Sequence, residues 1–213
     1  MVRIAGVVLA GGRSRRMGRD KSLLRLGGER APTLLERSLA VLRPLCAPVW
    51  VSCRTGQTFA GQCCVQDILP VSGPICGVHA ALVRARAEGI PAVLVLSCDM
   101  PFMHTAMLRR LVTAAAASPP EALMTAFMAP NGWTESLAAI YRVEAVPFLE
   151  AAAAQGRLKM REAVPPERQC FEPYGAEDAR VFFNLNTPQD LQRAAAHPAG
   201  SMAQAGREIC RNP

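Results

Sequence analysis

The most chemically informative stretch of this sequence is an apolar run followed by two glycines and a cluster of cations. Residues 4–10 are apolar throughout, as in a buried strand of a parallel sheet. Gly11 and Gly12 follow, and because they lack Cβ their backbone amides can approach a ligand closely. Residues 13–21 then carry four arginines and one lysine. Tandem backbone amides reinforced by cationic side chains form an anion site, so this stretch predicts a polyphosphate-binding loop.

The spacing of this loop differs from that of two common phosphate-binding loops. A dinucleotide-binding fingerprint needs a glycine where this chain has Arg13. A Walker loop needs Gly-Lys-Ser/Thr, whereas Lys21 here follows Asp20. The alternative is an exposed loop whose arginines are merely solvated. Its position directly after a strand, where α/β sheets ordinarily bind ligands, favours phosphate binding.

From Leu9 to Lys21 the chain resembles the molybdenum cofactor guanylyltransferases, whose signature is Leu-Ala-Gly-Gly-x-Ser-x-Arg-Met-Gly-x-Asp-Lys. The sequence matches every fixed position of that pattern. The resemblance implies that Arg16 and Lys21 act on the pyrophosphate that leaves during the reaction. The nucleotide-binding residues that it implies in this stretch are Leu9, Ala10, Gly11, Gly12 and Lys21.

Alternating strand and helix patterns place the glycine loop at the start of an α/β domain. Strands are predicted over 4–10, 48–53, 62–66, 92–97, 122–127, 137–141 and 181–183, with helices beginning near residues 33, 74, 105, 146 and 188. The β-α-β opening predicts a mainly parallel sheet with right-handed crossovers. Residues 1–196 are expected to form one domain and residues 197–213, which lack periodicity, a disordered tail.

Composition narrows the class of protein and of partner. The chain of 213 residues carries a net charge of +7, and half of its residues are hydrophobic. We expect no membrane partner, because no run approaches 18 uninterrupted apolar residues, and we expect the cytoplasm as its compartment. The basic residues concentrate in the glycine loop instead of alternating with aromatic residues, so no nucleic-acid partner is expected. The eight cysteines contain no Cys-x-x-Cys pair and are predicted to be mostly small buried hydrophobes.

A carboxylate and two glycines follow the third predicted strand. Asp67 stands at the end of that strand and is predicted to contact the nucleoside of the nucleotide. Gly73 and Gly77 flank a Gly-Pro turn that leads into a helix. The family resembled here carries a Gly-Pro-x-x-Gly turn against its nucleotide, which implies nucleotide-binding roles for both glycines. Ordinary packing between the loop and the helix is the alternative.

A second carboxylate follows the clearest strand of the chain. Residues 92–97 are continuously apolar up to Ser97 and lead into Cys98-Asp99-Met100-Pro101. A carboxylate at the carboxyl end of a strand, opposite a polyphosphate loop, is placed to hold Mg²⁺. The resembled family has a Cys-Asp-x-Pro segment whose aspartate binds the metal, which implies metal, nucleotide and catalytic roles for Asp99. Alternatively, Asp99 is a turn residue or a helix N-cap.

The second half of the chain departs from the family at one point. In the family, the region after the Asn131-Gly132 turn faces the pterin and carries Gln or His followed by Pro. Residues 133–136 are Trp-Thr-Glu-Ser here, so no substrate role is carried over. The cations within residues 157–161 are expected to form a solvated basic face.

A closing Asn-x-Asn-Thr-Pro motif is matched at residues 184–188. The resemblance implies that Asn184 and Asn186 bind substrate. The alternative is that both asparagines only form turns and caps. Thr187 is predicted to cap the final helix, with Pro188 at its first position.

Together these motifs imply a Rossmann-like three-layer fold of the nucleotide-diphospho-sugar transferase type. The implied reaction transfers GMP from GTP to the terminal phosphate of molybdopterin, with Mg²⁺ as cofactor, and releases pyrophosphate. Molybdoenzymes or their chaperones are the implied recipients of the product. Three alternatives stay open: cytidylyl transfer to the same cofactor, nucleotidyl transfer to a sugar phosphate, and nucleotide binding without catalysis.

Overall fold

A seven-stranded sheet with helices on both faces forms the framework of the computed structural model, which describes residues 3–10 and 21–196. The strands are β1 Ile4–Leu9, β2 Val49–Cys53, β3 Cys64–Gln66, β4 Ala92–Ser97, β5 Met124–Met128, β6 Thr134–Arg142 and β7 Gln169–Pro173. The α-helices are α1 Leu34–Leu42, α2 Pro74–Ala87, α3 Thr105–Ala117, α4 Val146–Ala154, α5 Met160–Ala163 and α6 Pro188–Ala196. Short 3₁₀ turns cover Lys21–Leu23, Val143–Ala145, Pro166–Arg168 and Ala176–Phe182.

The sheet is mainly parallel, as predicted. Its strand order is β3-β2-β1-β4-β6-β5-β7, and the first four strands in that order run parallel to one another. Strand β6 runs antiparallel to both β4 and β5, whereas β7 pairs in parallel with β5. One buried cluster joins the sheet to α2 and α4, and a second joins its other face to α1 and α3. These two cores make the three predicted layers.

Helix starts are specified locally. Thr33 caps α1 through a capping box, in which its hydroxyl accepts from the backbone N–H of Glu36 at 3.1 Å and its own N–H donates to the Glu36 carboxylate at 2.7 Å. At the start of α6, the Thr187 hydroxyl accepts from the backbone N–H of Asp190 at 3.2 Å. These side chains satisfy amide groups that a helix leaves unpaired at its first turn.

The predicted strand over 181–183 is wrong. Residues up to Phe182 lie in the 3₁₀ turn, and the strand that completes this side of the sheet is β7, which the sequence reading missed. Phe182 is buried by packing its ring 5.1 Å from that of Phe127 and 4.1 Å from that of Tyr174. Its apolar character therefore reflects core contacts and not strand pairing. Strand β7 lacks an apolar run because it lies at the edge of the sheet and is only partly buried.

Several other expectations from the sequence can be compared with the structure. Four of the seven cysteines within the described ranges are buried and Cys63 is exposed. Among the helices of residues 3–10 and 21–196, none is both long and apolar enough to cross a membrane. The predicted tail over 197–213 lies outside the described residues, and the single domain over 1–196 stays a prediction.

The topology brings the ends of several strands to one edge of the sheet, called here the carboxyl edge. Strands β1, β3 and β4 all end there, because they are parallel. Strand β6 is antiparallel to β4, so it begins there, directly after Trp133. Leu9 at the end of β1 pairs in register with Ser52 on β2 and Ser97 on β4. Loops that leave this edge are therefore neighbours in space.

Helix α2 packs closely on β2 because Gly77 has no side chain. A Cβ built at Gly77 would overlap the hydroxyl oxygen of Ser52 and would stand 3.0 Å from Leu9 Cδ2. Ser52 is itself buried, with 3% of its surface exposed, so it has little room to move. This contact sets how close the first turns of α2 lie to the carboxyl edge.

We predict that Gly77→Ala destabilises the fold by about 1–3 kcal/mol, the usual result of inserting a methyl group into a packed core. The measurement is the free energy of unfolding in urea. Ser52→Ala removes the overlapping hydroxyl, so the double variant should lose less stability than the sum of the two single variants. Strictly additive losses would contradict a direct clash between these two residues.

Candidate functional site

Three residues from distant parts of the chain meet at the carboxyl edge. The Lys21 ammonium donates a hydrogen bond to Asn186 Oδ1 at 3.0 Å. The same ammonium lies 3.8 Å from Asp99 Oδ2. About a fifth of the side-chain surface of each charged partner is exposed, 17% for Lys21 and 20% for Asp99, so both charges can reach a ligand from the solvent side. The structure thus brings together one residue each from the glycine loop, the Cys-Asp-x-Pro segment and the closing asparagine motif.

Asp99 is held in place from three directions. Its carboxylate Oδ1 accepts a hydrogen bond from the Ser97 hydroxyl at 2.6 Å. Its carbonyl oxygen accepts from the backbone N–H of Leu185 at 2.9 Å, which ties the asparagine motif to the end of β4. The preceding residue, Cys98, donates its N–H to the Leu9 carbonyl at 3.3 Å and so connects β4 to the end of β1. Ser97 was not singled out from the sequence, although a hydroxyl two residues before a candidate metal ligand is a recognisable signal.

The two asparagines of the closing motif differ in what they contact. The Asn186 side chain accepts from Lys21, whereas the Asn184 side-chain amide donates to the carbonyl of Phe182 at 3.1 Å. The backbone N–H groups of Asn186 and Thr187 both donate to the Asp190 carboxylate, at 3.0 and 2.8 Å. Asp190 therefore fixes the turn that aims Asn186 at Lys21. Asn184 forms a local turn contact, and a substrate role for it stays a prediction.

Asp67 lies three strand positions away from Asp99 along the carboxyl edge. Its backbone N–H donates to the carbonyl of Cys53 at 3.1 Å. Its Oδ1 atom is buried, and within the described part of the chain it has no hydrogen-bond partner. Burial raises the pKa of this carboxyl, while the nearby charge of Arg54 and a hydrogen bond from Ser52 act in the opposite direction. A buried acceptor without a donor is destabilising by itself, so Asp67 is suited to receive a hydrogen bond from a ligand.

The glycines and apolar residues predicted to bind nucleotide surround this part of the edge. Gly73 precedes α2 with φ of 131°, a conformation that favours glycine. Gly77 packs on Ser52 as described above, so its packing role is sufficient to explain the residue. Ala10 is buried and donates its N–H to the Ser52 carbonyl at 3.3 Å, and Leu9 packs on the α2 side of the sheet.

The remaining predicted loop residues, Gly11, Gly12 and Arg16, lie outside the described residues. Their roles in phosphate binding stay predictions. Lys21, directly after them, begins the 3₁₀ turn Lys21–Leu23.

A metal at this site would depend on few protein ligands. In residues 3–10 and 21–196, no group of three or more His, Cys, Asp or Glu side chains could hold an ion. Mg²⁺ is ordinarily held by one or two carboxylates together with substrate phosphates and water, so a single carboxylate is compatible with a metal that binds along with a nucleotide. Asp99 offers that carboxylate.

The hairpin between β5 and β6 contributes a second group of polar residues at the same edge. Glu135 is buried, with 8% of its surface exposed, and accepts a hydrogen bond from the Tyr174 hydroxyl at 2.9 Å. Burial raises the pKa of the Glu135 carboxyl, although hydrogen bonds from the side chains of Tyr174 and Trp133 oppose the rise. Trp133 itself is 53% exposed, and the Arg161 guanidinium carbon lies 5.2 Å from the centre of its ring. Sequence reasoning assigned these residues no role, because burial of one acid beside one exposed tryptophan leaves no periodic signal.

The sequence matches a known protein family and several of its named members. Residues 6–168 match the model of the MobA-like NTP transferase domain. A probable molybdenum cofactor guanylyltransferase of Chloroflexus aggregans is 36% identical over 208 residues, which cover 91% of this chain and 94% of that protein. A probable molybdenum cofactor guanylyltransferase of Mycobacterium tuberculosis is 34% identical over 192 residues, which cover 89% and 92% of the two chains.

Solved structures share the architecture. The molybdopterin-guanine dinucleotide biosynthesis protein A of Archaeoglobus fulgidus is similar with a TM-score of 0.69 and 27% identity, over 91% of this chain and 97% of that one. The 2-C-methyl-D-erythritol 4-phosphate cytidylyltransferase of Thermus thermophilus has a TM-score of 0.64 at 21% identity, over 92% and 98% of the chains. This second likeness concerns the fold alone. It agrees with the predicted nucleotide-diphospho-sugar transferase type.

The buried Glu135 predicts a specific pH dependence of stability. Because the pKa of Glu135 is raised in the folded state, ionisation of this carboxyl opposes folding. The resulting loss of folding stability grows as the pH rises from about 4 through the folded-state pKa. Glu135→Gln cannot ionise. The stability of the variant relative to the unmodified protein should therefore increase between about pH 4 and pH 7.

The measurement is urea unfolding of both proteins at a series of pH values. Glu121→Gln, which changes an exposed acid, is the matched control for the substitution itself. Parallel stability curves for Glu135→Gln and the unmodified protein would contradict the prediction.

Proposed function

Because this chain belongs to the MobA-like NTP transferase family, we propose that it transfers GMP from GTP to the terminal phosphate of molybdopterin and releases pyrophosphate. The observation that carries the proposal is the meeting of Lys21, Asp99 and Asn186, which come from three separate motifs, at one edge of the sheet. Relatives named as probable molybdenum cofactor guanylyltransferases support the choice of nucleotide and acceptor.

The chemistry requires positioning and charge neutralisation more than an activated side chain. An oxygen of the acceptor phosphate attacks the α-phosphorus of GTP and forms a new P–O bond. The bond between the α-phosphorus and the oxygen that bridges to the β-phosphate breaks, and pyrophosphate leaves with the electron pair. A phosphate monoester is already a competent nucleophile, so no Ser or Cys nucleophile is needed. Catalysis then depends on holding the two phosphates in line and on stabilising the departing charge.

Lys21 is suited to stabilise that charge. Its ammonium is a point charge with three donors, one of which is directed to Asn186 at 3.0 Å. Asn186 thereby fixes the ammonium without neutralising it, and the Asp99 carboxylate at 3.8 Å holds it from another direction. We infer that Arg16 and the amides of Gly11 and Gly12 complete the pyrophosphate site.

We propose that Asp99 holds a divalent cation, and that this cation is Mg²⁺. The Ser97 hydrogen bond occupies one side of Oδ1 and orients the carboxylate, while Oδ2 faces the Lys21 ammonium. Hard carboxylate oxygen is the donor that Mg²⁺ prefers, so the residues present fit this ion. When bound there, Mg²⁺ supplies additional positive charge to the nucleotide phosphates.

Asp67 and the residues around α2 are proposed to bind the nucleoside. The Oδ1 atom of Asp67, which has no hydrogen-bond partner among residues 3–10 and 21–196, can accept a hydrogen bond from a hydroxyl or N–H of the nucleoside. Gly73 opens the turn before α2, Leu9 is the last residue of β1, and Ala10 follows it. The distance between Asp67 and Asp99, three strands apart, suits a ligand that extends from nucleoside to phosphates.

Two further expectations accompany the proposal. Molybdoenzymes or their chaperones are the proposed recipients of the product, and the cytoplasm is the proposed compartment. Both derive from the resemblance and the composition described above.

The nucleotide preference is tested by ligand-induced stabilisation. GTP with Mg²⁺ should raise the melting temperature far more than CTP, ATP or UTP, because at equal concentration the ligand that binds the folded state more tightly stabilises it more. The motivation is the Leu9-Ala10-Gly11-Gly12 form of the loop, where the related cytidylyltransferases tend to carry Leu-Ala-Ala-Gly. Equal stabilisation by CTP and GTP would contradict the assignment. Stabilisation by GTP without pyrophosphate release in the presence of acceptor would indicate nucleotide binding without catalysis.

Single-turnover kinetics separate the proposed roles of Lys21 and Asp99. Lys21→Ala should lower the rate of transfer roughly a hundred- to a thousandfold, as expected for loss of one contact to developing charge, with a smaller effect on GTP affinity. Asp99→Ala should abolish the normal Mg²⁺ dependence, with only partial rescue by excess metal. Asn186→Ala removes one hydrogen bond from the Lys21 ammonium and should give an intermediate loss of rate.

The matched control is Arg86→Ala, which removes an exposed cation from the last turn of α2, at the opposite edge of the sheet. It should leave rate and metal dependence unchanged. The roles are wrong if Lys21→Ala changes only GTP affinity, or if Asp99→Ala keeps the normal response to Mg²⁺.

A further inference from the structure

The Lys21 ammonium and the Asp99 carboxylate attract each other over a distance longer than a hydrogen bond. Lys21 Nζ and Asp99 Oδ2 are 3.8 Å apart, whereas charge-assisted hydrogen bonds between an ammonium and a carboxylate are ordinarily about 2.7–2.9 Å long. The ammonium donates instead to Asn186 Oδ1 at 3.0 Å. Lys21 therefore supplies a counter-charge to Asp99, while Asn186 helps to fix where that charge stands.

The turn that carries Asn186 is held by the start of α6. The backbone N–H groups of Asn186 and Thr187 donate to the Asp190 carboxylate at 3.0 and 2.8 Å. In return, the Thr187 hydroxyl accepts from the Asp190 N–H at 3.2 Å. These reciprocal bonds resemble a capping box and are local to the turn. The backbone of Asn186 is thus fixed independently of the position of the Lys21 ammonium.

The backbone of Lys21 is also anchored, so its ammonium can change position through the side chain alone. The Lys21 carbonyl accepts from the Leu24 N–H at 3.0 Å, and the Leu24 carbonyl accepts from the Leu34 N–H at 2.8 Å at the start of α1. Ser22, the next residue, is fully buried. A lysine ammonium stands on a flexible four-carbon stem. Lys21 can therefore exchange one charged partner for another without unfolding its turn.

The oxygen of Asp99 that faces Lys21 is the oxygen that a metal ion would approach. Asp99 Oδ1 accepts from the Ser97 hydroxyl at 2.6 Å, and Oδ2 faces the ammonium. About a fifth of each charged side chain is exposed, so solvent and salt screen this pair less than they screen charges on the open surface. Two cations beside one carboxylate oxygen repel each other strongly under these conditions. Lys21 in this position therefore opposes the binding of a divalent cation by Asp99.

We propose that Lys21 is a displaceable counter-ion of Asp99, which opposes the binding of a divalent cation until nucleotide phosphates draw the ammonium away. The inference rests on the proposed function, in which Asp99 holds the cation and Lys21 contacts the phosphates. A triphosphate carries several negative charges and competes with a single carboxylate for the ammonium. When Lys21 turns to the phosphates, Asp99 Oδ2 regains its uncompensated charge. Lys21 thereby couples the affinity for nucleotide to the affinity for the cation, and such coupling is reciprocal.

The first test measures the binding of Mn²⁺ to the protein without nucleotide, through the loss of the EPR signal of the unbound ion. Mn²⁺ is suited to the same oxygen ligands as Mg²⁺. Lys21→Met keeps an unbranched side chain and removes its charge. This variant should bind Mn²⁺ roughly 5- to 150-fold more tightly than the unmodified protein, the usual range for coupling between two sites. Adding Asp99→Asn should abolish the gain, because the carboxylate is then lost.

The matched control is Lys159→Met, which changes the only other lysine of the sequence. The Lys159 ammonium pairs with the Glu162 carboxylate at 3.1 Å, away from Asp99. Lys159→Met removes the same charge from the protein as Lys21→Met and should leave the affinity for Mn²⁺ unchanged. Lys21→Arg keeps a cation at the site and should also stay close to the unmodified protein. These two variants separate the contact with Asp99 from a general effect of net charge.

The second test observes the ammonium in the unmodified protein. Because the sequence contains two lysines, NMR of protein labelled with ¹³C at lysine Cε gives two lysine signals, and the signal absent from Lys21→Met is that of Lys21. GTP with EDTA, and therefore without a divalent cation, should shift the Lys21 signal. The Lys159 signal should stay in place, since its carboxylate partner is unaffected by the nucleotide.

Two results would overturn the counter-ion role while the proposed function stands. One is a Lys21→Met variant that binds Mn²⁺ no more tightly than the unmodified protein, although the unmodified protein transfers GMP. The other is a Lys21 signal that does not move at GTP concentrations that raise the melting temperature. Tighter, Asp99-dependent binding of Mn²⁺ by Lys21→Met in a protein that releases no pyrophosphate would support the counter-ion role and contradict only the proposed transfer.

Discussion

The hydrogen bond between Lys21 and Asn186 joins residues that are 165 positions apart, and the rest of the site depends on it. It can form only if the 3₁₀ turn that begins at Lys21 and the turn before α6 arrive at the same edge of the sheet. The backbone bonds from Cys98 to Leu9 and from Leu185 to Asp99 secure that arrangement. Parallel pairing of β1 with β4 is the underlying constraint, because it makes both strands end together. A shift of one residue in that register would turn Ser97, and the support that it gives Asp99, to the other face.

Two buried carboxyl groups lower the stability of the folded protein. Asp67 keeps an oxygen without a donor in the described part of the chain, and Glu135 is held in a setting that disfavours its charge. Each lies at the carboxyl edge, on opposite sides of Asp99. Unsatisfied or strained polar groups of this kind tend to concentrate at functional sites. The two carboxyl groups therefore flank the site formed by Lys21, Asp99 and Asn186.

The helices around this edge combine local and tertiary signals. Thr33 with Glu36, and Thr187 with Asp190, specify helix starts through side chains three residues apart, so the sequence reveals them directly. Gly77 is different, since the residue that requires its missing Cβ is Ser52, 25 positions earlier in the chain. From the sequence, packing and ligand binding were alternative explanations for Gly77, and the family resemblance favoured ligand binding. The contact with Ser52 supplies the packing explanation.

The order and most of the bounds of the elements were open to prediction because apolar periodicity, caps and turns are local. The apolar strand before Asp99 and the loop pattern from Leu9 to Lys21 are of this kind, and so is the family resemblance that they carry. Tertiary structure alone decided that Val181 and Phe182 lie in a turn that packs into the core, and that the weakly apolar β7 pairs with β5. It also decided that Asn186 contacts Lys21 while Asn184 does not, and that Glu135 is buried against Tyr174. The physical reason is that burial and hydrogen-bond partners are properties of surfaces brought together from distant segments, and no local pattern of residue types records which segments will meet.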